Sequence, residues 1–132
     1  MQVSILNSRY MNDISDLEKR FYKEIKNSIE HYSNEVLRLT KKGGEISALA
    51  NDSERHAFEI LQSTELPTSQ LEALRHIIAY AATGVVHSLF VSIDGGTTLS
   101  DDGRALELIE LKTGQPLTEG ALHDNFFQVI AE

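Results

Sequence analysis

From Asn12 to Lys42 the apolar residues Ile14, Leu17, Phe21, Ile25, Ile29, Tyr32, Val36 and Leu39 recur every three or four positions. That spacing puts them on one face of a long amphipathic helix, and a strand, with its period of two, cannot use it. Asn12 or Asp13 is placed to cap the start, and Asp16 and Glu18 fall in the first turn. Lys41-Lys42 ahead of Gly43-Gly44 closes the helix with cations at the negative end of its dipole. At 1.5 Å per residue such a rod runs about 45 Å, longer than a small domain needs. Phe21, Tyr22, Ile25, Ile29, Tyr32 and Val36 are therefore a candidate interface for a homodimer or larger oligomer. Residues 1–11 show neither a helical period nor the long apolar core of a signal peptide, and are expected to be flexible.

Weaker helical patterns follow. Ile46, Leu49, Ala57, Phe58 and Leu61 can share a face, and Asn51-Asp52-Ser53 predicts a break and a new cap, with helix from about Ser53. Leu66-Pro67-Thr68 stops it. Ser69-Gln70-Leu71-Glu72 fits a capping box, and Leu71, Leu74, Ile78, Ala81, Val85 and Leu89 keep the helical period beyond it. Val85–Ile93 also alternates like a β-branched strand; continuity from a clean cap to the stop at Asp94-Gly95-Gly96 predicts helix to about Ile93. Thr97–Leu111 reads as a hairpin turning at Asp102-Gly103. Lys112–Pro116 reads as a second turn, and Thr118 as the cap of a last helix carrying Leu122, Phe126, Val129 and Ile130. The expected fold is mainly α within an α+β class: a long N-terminal helix, two or three further helices and a small β-hairpin between the last two. All 132 residues are expected to form a single domain.

Composition narrows the function. The chain has no cysteine, so disulfide scaffolds, zinc ribbons, iron–sulfur sites and cysteine catalysis are excluded. No run of apolar residues approaches the roughly 18–20 of a bilayer span. The greasiest stretch, Val85-Val86 and Leu89–Val91, is interrupted by His87 and Ser88, and a soluble cytoplasmic protein is expected. The net charge of −8 argues against nonspecific binding to nucleic acid or anionic lipid. It is unevenly spread: residues 1–46 hold eight basic groups against seven acidic ones, residues 47–132 four against thirteen. The basic groups of the first helix are interleaved with Asp16, Glu18, Glu24 and Glu30, as in a solvated ion-pair face.

Motifs for chemistry are scarce. Counted as a calcium loop from Asp94, position 3 is Gly96, position 6 Leu99 and position 12 Ala105, which fails each diagnostic position. Gly95-Gly96 lacks the companions of a phosphate cradle, and no Gly-x-Ser-x-Gly occurs. His31, His56, His76, His87 and His123 contain no pair at the i,i+4 spacing of a helical metal site. His87, inside the apolar segment, must satisfy its ring on backbone, or pair with His123-Asp124 or Asp94 as a base or metal ligand. No cofactor and no metal are expected.

The reading is a small acidic protein-binding module rather than an enzyme. Its most concrete form is an immunity- or inhibitor-type protein occluding a basic partner such as a nuclease toxin. Asp94, Asp101, Asp102, Glu107, Glu110 and Asp124 form the candidate partner-binding face. The alternatives are a homo-oligomer assembled through the first helix, and a histidine-based metal or hydrolytic site around His87 and His123.

Overall fold

A computed structural model describes residues 14–49, 51–95, 106–118 and 120–132. Among them are four helices: α1 (Asp16–Thr40), α2 (Asp52–Thr64), α3 (Thr68–Ile93) and α4 (Leu122–Ile130). The protein is mainly helical. Asn12, Asp13 and residues 1–11 lie outside the described residues. The cap of α1 is Ser15, whose Oγ accepts from the Glu18 amide at 3.1 Å. The helix ends at Thr40, two residues before the expected Lys42, where the Thr40 hydroxyl donates to the Leu37 carbonyl at 2.7 Å. Asn51 caps α2 as its sequence predicts, its side-chain oxygen accepting from the amides of Ser53 (2.8 Å) and Glu54 (3.2 Å). Val85–Ile93 is helix, the last part of α3. The capping box at Ser69 is not used: α3 begins at Thr68, directly after Pro67, and Glu72 pairs with Arg75 instead.

One expectation is corrected. The hairpin over Thr97–Leu111 is not supported. Residues 96–105 lie outside the description, and no strand occurs among the described residues. A single antiparallel bridge joins Ile109 to Pro116 around the Lys112–Gln115 turn, and Pro116 has no N–H with which to extend a ladder. A further feature concerns α3. From His76 to Ile93 it contains no Asp, Glu, Lys or Arg. With a mean hydropathy of 1.5 over 18 residues, it is long and apolar enough to cross a membrane by length and composition. A search for unbroken apolar runs misses this, because His87 and Ser88 interrupt the run without adding a formal charge.

The chain resolves into two compact units, divided within α1 after Lys26 and within α3 before Gly84. Unit 1 (residues 1–26 and 84–132) holds the buried apolar residues Tyr22, Phe90, Leu122, Phe126 and Val129. Its three central rings meet edge to face, with centroids 5.9 Å apart for Tyr22–Phe90, 5.8 Å for Tyr22–Phe126 and 5.3 Å for Phe90–Phe126, an arrangement that adds to simple burial. Unit 2 (residues 27–83) is lighter. Its apolar residues Ile29, Val36, Leu39, Phe58, Leu61, Leu74 and Ile78 are half-buried, and α2 has no buried residue. Gln62 ties its corner by donating to the carbonyls of Leu39 (2.8 Å) and Gly44 (3.0 Å). Gly44 is needed there, because a Cβ would come within 2.8 Å of the Arg38 carbonyl oxygen.

Candidate functional site

The polar groups of unit 1 form two connected sets. In the first, the Glu18 carboxylate is 2% exposed and has no cation beside it among the described residues. It accepts instead from the Tyr22 hydroxyl at 2.7 Å and the Asn125 side-chain amide at 2.8 Å. Burial, and then the neighbouring Glu18 carboxylate, push the Tyr22 phenol well above its ordinary range, so Tyr22 remains a donor. Asn125 also lies 3.4 Å from the Thr118 hydroxyl.

The second set lies where α3 ends and α4 begins. The Asp94 side chain is only 4% exposed. Its oxygens accept from the backbone amides of Leu122 (3.2 Å) and His123 (3.0 Å) and form a short hydrogen bond with His123 Nδ1. Asp94 therefore caps α4 from 28 residues away, in the role expected of Thr118. We assign the ring proton shared with Asp94 to Nδ1. Nε2 lies 3.5 Å from Asp124 Oδ1. The His87 ring stands 5.7 Å from the His123 ring and meets the Phe127 ring tilted, with centroids 4.3 Å apart. The fold thus assembles His87, His123, Asp124 and Asp94, which the sequence could name but not place together.

This assembly orients the His123 ring. Among the described residues no serine or threonine hydroxyl is bonded to Nε2, and no group of three or more His, Asp or Glu side chains could hold a metal ion. Beside Asp94 opens a cavity of about 270 Å³, bordered by Ser92, Glu107, Leu108, Thr118 and Leu122.

Of the sequence-predicted partner face, Asp94 is thus turned inward. Glu107 is exposed at the cavity rim, and Asp124 is exposed on α4. Glu110 borders a separate apolar groove of about 200 Å³ with Leu17, Phe21 and Leu117, and accepts from the Thr113 hydroxyl at 3.0 Å. Asp101 and Asp102 lie outside the described residues. Among the described residues no lysine or arginine pairs with Glu107, Glu110, Asp124 or Glu132. In unit 2, by contrast, Arg38, Arg55 and Arg75 each pair with the acid three positions earlier: Glu35, Asp52 and Glu72. Hydrogen bonds from Arg38 and Arg75 hold the Glu35 and Glu72 carboxyls below the usual carboxylate range. On the candidate oligomer face, Tyr22 is in the core of unit 1. Phe21, Ile25, Ile29 and Val36 are half-buried, and Tyr32 is 69% exposed.

Comparison with protein-family models, with curated proteins and with solved structures found no match.

Proposed function

We propose that the protein is a small acidic protein-binding module that works in the cytoplasm by covering a basic partner. An inhibitor or immunity-type protein against a nuclease toxin is its most concrete form. The observation that carries this reading is the set of acids in unit 1 with no lysine or arginine partner among the described residues. Residues 84–132 contain eight acidic groups against two basic ones, and Glu107 and Asp124 stand exposed with Glu110 half-buried. Acids without local partners keep their field for an incoming molecule, whereas acids paired within their own helix are already compensated. A nuclease presents arginines and lysines where it binds phosphate, and an acidic surface competes for those groups. The described acids offered for this face are Glu107, Glu110 and Asp124; Asp101 and Asp102 lie outside the described residues. Asp94 serves it indirectly, by fixing the start of the helix that carries Asp124.

The test is capture from native lysate at low and high salt with the full chain and with E107K/E110K/D124K. A stoichiometric basic protein that leaves as salt rises, and that the triple variant no longer retains while its helical circular dichroism is unchanged, supports the reading. Binding indifferent to both salt and charge reversal overturns it. A hydrolytic or metal-dependent role at His87 and His123 gains support from the nearness of the two rings. It has no partner hydroxyl or third ligand among the described residues.

A further inference from the structure

We infer that the outer edge of residues 108–110 takes up an extended segment of the basic partner, in which an apolar residue is flanked by lysine or arginine. The inference rests on the reading above, that acids of unit 1 serve such a partner. Leu108 and Glu110 use backbone groups across the turn that follows them. The Leu117 amide donates to the Leu108 carbonyl at 2.7 Å, and the Glu110 amide donates to the Gln115 carbonyl at 2.9 Å. Backbone groups alternate in direction along an antiparallel pair, so the N–H and C=O of Ile109 point away from that pairing. Nothing among the described residues bonds to either group, and Ile109 is 45% exposed. The opposite edge is blunted, because Pro116, bridged to Ile109, has no N–H to offer. A donor and an acceptor presented together on an open edge are what an added strand uses.

The apolar groove of about 200 Å³ is walled by these same three residues with Leu117, and by Leu17 and Phe21 of α1. Its volume falls below the roughly 300–1,000 Å³ of small-molecule sites and suits a side chain of a longer ligand. In an extended segment every second side chain faces the same way, so one apolar residue fills the groove while its neighbours stay at the rim. Charge selects those neighbours. Glu110 is the one charged residue among the described walls, and Glu107 stands exposed three positions earlier. Neither pairs with a lysine or arginine among the described residues. The same acids argue against other occupants. A second copy, also carrying −8, would set acids against acids along this edge, and an anionic lipid surface would meet them with like charge. In the complex, the groove and the edge slow dissociation, while the acids speed association.

The test measures association and dissociation of the basic protein captured from native lysate, with the full chain and its variants. I109P removes the outward N–H and leaves the bonds to Leu117 and Gln115 in place. L17Q makes one groove wall polar at a helical position that is 38% exposed. Each should raise the dissociation rate about tenfold or more at low and high salt alike, with helical circular dichroism unchanged. E107K/E110K/D124K should act mainly by slowing association at low salt. V85Q, at an exposed apolar position on α3, should change neither rate. Amide exchange should show the Ile109 amide newly protected in the complex. A basic protein released by salt and by charge reversal, yet held equally well by I109P and L17Q, overturns the inference and leaves the acidic face standing. An Ile109 amide that stays unprotected overturns the added strand even where L17Q weakens the complex. Loss of binding in V85Q alone overturns the inference by placing the contact on α3. Self-association of the pure chain that I109P abolishes overturns it by assigning the edge to a second copy. Capture of no basic protein overturns both this inference and the reading it rests on.

Discussion

The two units draw on the same two long helices but rest on different forces. Unit 1 has interlocked aromatic rings, a buried carboxylate satisfied by neutral donors and a helix capped by a distant aspartate. Unit 2 has half-buried apolar side chains, local arginine–carboxylate pairs and one glutamine spanning two carbonyls. The difference shows how the same side-chain chemistry can be spent inward or outward. In unit 2 opposite charges three residues apart cancel locally, whereas unit 1 buries the side chains of two acids for its architecture and leaves Glu107 and Asp124 exposed.

Phe126→Ala should have the largest effect, about 3–5 kcal/mol of stability, because a fully buried ring leaves a cavity among Tyr22, Phe90 and Val129. Amide exchange should show protection lost over residues 84–93 and 122–130 and kept in α2. Equal loss in both places would break the comparison by making the chain one cooperative body. Tyr22→Phe comes next, at about 1.5–3 kcal/mol, since it removes a hydrogen bond to a buried charge. It also has a pH signature. The folded phenol titrates above its unfolded value of about 10, so its contribution is complete below that pH and is lost as pH rises beyond it. Wild-type stability in urea should therefore decline above about pH 10, and that of Tyr22→Phe should decline less steeply. Asp94→Ala should cost about 1–2 kcal/mol by removing the cap of α4, and Asp94→Asn, which keeps an acceptor, should recover part of the loss in the same urea titration. Arg38→Ala should leave the unfolding midpoint of unit 2 unchanged, because the Glu35 pair is exposed.

What the sequence made legible was local. The three-to-four spacing through Leu39 marks α1, and Asn51 ahead of Ser53 and Glu54 marks the start of α2, because both signals act within a turn or two of helix. Continuity of period separates helix from strand at Val85–Ile93. Asp94 was legible only as an acid after a helix stop, since the amides it serves lie 28 and 29 residues further on. Thr118, the nearer hydroxyl, was the natural choice by local rules. The same limit applies to Phe21, which shares the helical period of Tyr32 although one is half-buried and the other exposed. Periodicity marks a face without saying what covers it. The Asp-Gly turn signal at 102–103 suggested a hairpin because a turn dipeptide carries no information about whether flanking residues find a strand to pair with.

The hydrogen bond from Asn125 to Glu18 joins residues 107 positions apart. Unit 1 therefore has a history that unit 2 does not share. Residues 27–83 are contiguous and can find one another while later parts of the chain are still being made. Tyr22 and Phe90 must wait for the last helix to supply Phe126. Contacts of such long range slow folding and prolong the exposure of apolar surface. During synthesis, the half of the molecule with the better core is thus the half that is completed last.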